Sequence, residues 1–84
     1  MSGGQVRTVA AMDVDEVLDC RGERCPLPVI RLARRMADVP PGTVVRLLAD
    51  DPAAAVDVPA WCRMRGQDYL GSPAAATFDV RRTN

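Results

Sequence analysis

Apolar residues fall along this chain in two alternating rhythms. Val29, Leu32, Ala33 and Met36 recur at the i, i+3, i+4, i+7 spacing, Ile30 and Ala37 widen the stripe, and Arg31, Arg34, Arg35 and Asp38 share the opposite face. This pattern predicts an amphipathic helix from Pro26 to Ala37, with one side in the core and the other wet. Pro40-Pro41-Gly42 stops it. Thr43 to Ala49 is β-branched and apolar and reads as a central strand, and Glu16 to Cys20 has the length and flanks of a first one.

Asp51-Pro52 looks like a capped start for a second helix running to about Arg65, with Asp51 at the N-cap and Gly66 after the last turn. Ala55, Val58 and Cys62 supply its apolar stripe, Trp61 lies toward the stripe's edge as a packing anchor, and Pro59 is expected to kink it or open one hydrogen bond. Asp50 and Asp51 are taken as structural caps. Gln67–Gly71 and Ala76–Arg82 read as closing strands around a Ser72-Pro73 turn. The order β-α-β-α-β-β predicts an α/β two-layer sandwich, a four-stranded mixed sheet with two helices packed on one face. Val6 to Met12 is either a short extra strand or an arm.

Length and charge narrow the classes. Eighty-four residues suit a single small domain, 1–84, with 1–15 as a flexible arm or added strand. Eleven arginines balance eleven acidic residues, so the chain lacks the basic excess of a nucleic-acid binder. There is no histidine, which removes the commonest general base and metal ligand and excludes a cysteine-histidine protease. Cys20, Cys25 and Cys62 have no metal-ligand spacing, and neither metal nor cofactor is expected. No apolar run spans a bilayer and no signal-peptide order opens the chain, and an odd number of cysteines suits a reducing compartment; a cytoplasmic location is expected.

The chemistry concentrates at Cys25-Pro26-Leu27-Pro28. Proline is favoured at the first helical position, so Pro26 marks a helix start and Cys25 becomes its N-cap. Pro28 still lies in the first turn and stiffens it without breaking it. From the cap, the sulfur would face unpaired N–H groups and the positive end of the helix dipole, which favour a thiolate and a lowered pKa. Arg21 and Arg24 push the same way, Asp19 and Glu23 oppose them, and Gly22 turns the chain toward the cysteine.

Leu18-Asp19, Gly22 and Cys25-Pro26-Leu27-Pro28, followed by Asp50-Asp51-Pro52, Asp57-Val58-Pro59 and Trp61-Cys62, stand together in an order that resembles the TusA (SirA-like) family of small sulfur-carrier proteins. The likeness runs from about Val17 to Arg82. It implies the same two-layer fold and a relay in which Cys25 accepts sulfane sulfur from a donor protein, a cysteine desulfurase or rhodanese. An acceptor sulfurtransferase then takes it, in tRNA thiolation, molybdenum-cofactor supply or sulfur metabolism. The carrier is expected to be a monomer with no direct nucleic-acid or membrane contact. Arg21, Gly22, Arg24, Pro26 and Pro28 support the cap and loop; Cys20 is a candidate resolving thiol; Arg31, Arg34 and Arg35 form either a solvated face or a docking surface for an acidic partner. A redox-sensing or regulatory interaction module is the alternative reading.

Overall fold

The computed structural model describes residues 14–83; the Val6–Met12 segment lies outside them. Strand β1 (Glu16–Asp19) leads to helix α1 (Leu27–Asp38), strand β2 (Val44–Leu48), helix α2 (Ala54–Arg65) and the pair β3 (Asp68–Gly71) and β4 (Thr77–Arg81). These make one four-stranded sheet in the order β1-β2-β4-β3. β1 runs parallel to β2, as a crossover through α1 requires, and the other two pairings are antiparallel. The α/β sandwich with both helices on one mixed sheet is thus the fold.

Period-two alternation decides which sheet face is covered. Val45, Leu47 and Ala49 from β2 and its end, with Phe78 and Val80 from β4, point toward the helices and are buried with Leu32, Met36, Val58 and Cys62. On the other face, Arg46 and Asp79 stand directly opposite in register and pair through two bonds of 2.8 and 2.9 Å.

Several local expectations need correction. Helix α1 begins at Leu27, with Pro26 rather than Cys25 at the N-cap. The carbonyl of Pro26 accepts the first helical bond from the Ile30 N–H at 2.9 Å, so Cys25 lies one residue outside. α2 begins three residues after Asp51, with Ala53 as its N-cap. Its buried stripe is Ala54, Val58 and Cys62 at i, i+4, i+8, and Ala55 is exposed. Ile30, assigned to the core stripe of α1, is 42% exposed, and Ala37 is exposed as well, while Pro28 is buried. Pro59 sits inside a continuous α2, where the only cost visible is the N–H it lacks. Gly66 ends that helix in the left-handed region at φ 71°, its N–H donating to the Cys62 carbonyl.

Candidate functional site

The loop between β1 and α1 is held in place from another part of the chain. Gly22 adopts φ 86°, which a residue with a Cβ rarely does, and its N–H donates to Asp50 Oδ1 at 2.9 Å. The Cys25 N–H donates to Asp51 Oδ2 at 3.0 Å, while Asp51 Oδ1 accepts the Ala53 N–H at 2.9 Å. One carboxylate therefore ties the start of α2 to the cysteine. The acidic pair expected to cap a helix positions the Cys25 loop as well. The Cys25–Pro26 peptide bond is cis.

The sulfur's surroundings reverse the electrostatic expectation. Cys25 lies outside the N-cap of α1, and the charge of Asp57 in the first turn of α2 bears on its thiol. Partial burial, then the Asp57 charge, then the Asp51 charge push the thiol above its ordinary range. The lowered pKa expected from a cap position is thus corrected to a raised one. The arginines do not intervene: Arg21 is bound to Asp19 through bonds of 2.9 and 2.7 Å, and Arg24 is exposed, its charge acting on Asp51.

The other two cysteines are enclosed. Cys20 and Cys62 are 0% and 1% exposed, and burial pushes both thiols up to about 11. Cys20 follows β1, its N–H bonded to the Leu48 carbonyl at 2.8 Å, and its thiol lies beside Glu23, which pairs with Arg31. All three thiols are free. A groove of about 220 Å³ opens next to Cys25, lined by Pro26, Val29, Asp57, Ala60, Trp61 and Met64. Trp61 packs against the core and also walls this groove. Sequence reasoning missed Asp57 as a neighbour of the sulfur, because no local pattern reports that the N-terminal turns of two helices meet.

Of the three arginines on α1, Arg31 pairs with Glu23 and Arg35 with Glu16 at 2.5 Å; Arg34 is exposed and has no such partner among the described residues. Among these residues no cluster of histidine, cysteine or acidic side chains could hold a metal ion, and no helix is long and apolar enough to cross a membrane.

The chain is thus a two-layer α/β protein that presents one accessible thiol where two helices begin. Residues 16–78 match the family model described as Sulfurtransferase TusA, and the chain belongs to that family. It is 33% identical over 66 residues to the Sulfur carrier protein TusA of Pseudomonas syringae pv. tomato, a match covering 79% of each chain. It is 41% identical over 51 residues to the Sulfur carrier protein TusA of Pseudomonas fluorescens, covering 61% of each. The match to YrkF of Bacillus subtilis is 38% over 58 residues, 69% of this chain but 31% of that protein.

Proposed function

We propose that this chain is a sulfur carrier that holds sulfane sulfur as a persulfide on Cys25. A donor protein, a cysteine desulfurase or a rhodanese, loads it, and an acceptor sulfurtransferase unloads it. The observation that carries the reading is the division among the cysteines: Cys25 is half-buried and reachable, whereas Cys20 and Cys62 are sealed in the core. A carrier needs one reachable nucleophilic sulfur rather than a deep pocket, and the open groove beside Cys25 leaves room for a partner surface. Family membership and the names of the relatives support the same reading.

The downstream route is tRNA thiolation, molybdenum-cofactor supply or sulfur metabolism, in the cytoplasm, through protein partners rather than direct nucleic-acid or membrane contact. The enclosure of Cys20 favours a carrier over a redox pair of Cys20 and Cys25, since a resolving thiol must reach the bond it attacks.

Intact-mass measurement tests this directly. Reduced protein incubated with a cysteine desulfurase and cysteine should gain about 32 Da, one persulfide sulfur. The gain should persist in Cys20→Ser and vanish in Cys25→Ser. Absence of any gain with several donors, together with a loss of about 2 Da on mild oxidation that needs both cysteines, would replace the carrier by the redox module.

A further inference from the structure

Acidic side chains in this fold are mostly committed to holding it together. Asp15 accepts the Val44 N–H at 2.8 Å, Glu16 and Glu23 pair with Arg35 and Arg31, Asp68 with Arg81, and Asp79 with Arg46. Both oxygens of Asp51 are taken by backbone N–H groups, and Asp50 holds Gly22. Asp57 differs. It is half-buried in the first turn of α2, and among the described residues neither an arginine nor an N–H group pairs with its carboxylate. The group it bears on is the Cys25 thiol, and it walls the groove together with Pro26, the residue after that cysteine.

Near the positive end of α2, where an anion is favoured, Asp57 keeps its carboxylate available beside the sulfur. Cys25 lies outside the α1 N-cap, and partial burial with the charges of Asp57 and Asp51 favours its protonated form, so it rests as a thiol and must lose its proton when it reacts.

We propose that Asp57 is a catalytic residue of sulfur uptake, taking the Cys25 proton as the cysteine sulfur bonds to the sulfane sulfur of a donor persulfide. The assignment rests on the carrier reading above. In the step, the bond between Cys25 Sγ and the sulfane sulfur forms while the donor's S–S bond breaks, and the electron pair of the broken bond leaves with the donor sulfur. The proton held by Asp57 passes to that leaving thiolate. Sulfur is transferred with no net oxidation or reduction, and Asp57 returns to the carboxylate. Contacts of this kind tighten when a partner closes over the site. Asp51 is the weaker base, because both of its oxygens accept backbone hydrogen bonds that hold its carboxyl below its ordinary range.

The test separates a base from a mere negative neighbour, because the two roles move two rates in opposite directions. The wild-type chain and Asp57→Asn are each treated with glutathione persulfide, which needs no docking surface, and uptake is followed by intact mass; iodoacetamide alkylation and melting temperature are recorded in parallel. Removing the charge frees the thiol to ionise, so alkylation at pH 8 should speed up. Uptake at pH 7 should nevertheless slow by about 10- to 100-fold, the lower part of what a positioned proton acceptor supplies. Unchanged or faster uptake in Asp57→Asn overturns the assignment and leaves the carrier standing. No sulfur on wild-type Cys25 from this donor or a desulfurase removes both.

Wild-type protein alone gives a second measurement, independent of whether the variant folds. From pH 9 to pH 6, with Asp57 bearing on the thiol from α2, Asp51 from the segment before α2 and Arg24 acting on Asp51 from the loop, uptake should fall less steeply than alkylation. A parallel fall overturns the assignment.

Discussion

Helix α1 leaves unpaired backbone groups at both ends, and the molecule deals with them by opposite means. At the C-terminal end Arg82, just past β4, donates from one guanidinium nitrogen to the carbonyls of Met36, Ala37 and Val39 at 2.9, 3.2 and 2.5 Å. A cation thus closes the negative end of the helix from across the fold. At the N-terminal end no side chain caps the helix. The acidic residues Asp50 and Asp51 reach from the start of α2 and grip the preceding loop, leaving Cys25 beside α2's Asp57. One end is sealed for stability; the other holds a loop whose sulfur remains reachable.

Thiol labelling probes this division with the largest expected effect. At pH 8 in native conditions Cys25 should alkylate about 1,000-fold faster than Cys20 or Cys62, because the enclosed thiols react only through opening of the core, at a cost of several kcal/mol. Mass mapping of the modified peptides after timed quenching measures the ratio. Comparable rates at Cys20 and Cys25 would mean that the reactive end extends back to β1, and would revive Cys20 as a resolving thiol. With pH, the alkylation of Cys25 should show a midpoint above the ordinary thiol range.

The sealed end gives the next largest change. Arg82→Ala strips a charged donor from three carbonyls and should lower stability by about 2–3 kcal/mol, read as a lower urea midpoint at unchanged slope. Arg82→Lys should fall between, since an ammonium lacks the planar fork. Native alkylation of Cys25 should stay within about twofold of wild type in both, as expected for sites that share no partner. A larger change would show that the two ends are coupled.

The sequence was legible for the elements and not for this division. Each strand and helix was placed to within one or two residues because its signal is local: i, i+3, i+4, i+7 spacing in α1, a β-branched run in β2, Gly66 after α2. The thiol's environment depends on residues about 26 and 32 positions away, at Asp51 and Asp57, which only the packing of α2 beside α1 brings to Cys25. Pro26 misled for a related reason. Proline is favoured at the first helical position, and only the Ile30 bond to the Pro26 carbonyl shows that it sits one residue earlier, at the N-cap. Arg82, likewise, read as the tail of a strand.

At the open end, Asp51→Asn should leave the fold intact and loosen the loop. It keeps one acceptor of two, so the melting temperature should fall by about 5 °C, and exchange of the Cys25 amide should accelerate by about tenfold. The pH dependence carries a sign. Hydrogen bonds from Ala53 and Cys25 hold the Asp51 carboxyl below its ordinary range. Its contribution is therefore complete above the unfolded carboxyl pKa of about 4 and is lost as pH falls through the lower folded value. Wild-type stability should drop through that acid window, and the Asn variant should drop less steeply. Identical acid limbs would remove Asp51 as the holder of the loop.

The smallest effect is expected on the outer face of α1, and there the smallness is informative. Arg31 and Arg35 are tied to Glu23 and Glu16, so reversing either would create a repulsion within the fold and confuse stability with docking. Arg34 has no such tie among the described residues. Arg34→Glu should change stability by less than about 0.5 kcal/mol. If the arginine face steers an acidic donor protein, the same variant should slow desulfurase-dependent loading of Cys25 by about two- to fivefold, with the difference shrinking as salt is raised. Loading from glutathione persulfide, which has no protein surface to steer, should not change. Equal slowing with both donors would place the effect at the sulfur instead of the docking face, and no slowing with either would make this arginine face a solvated surface alone.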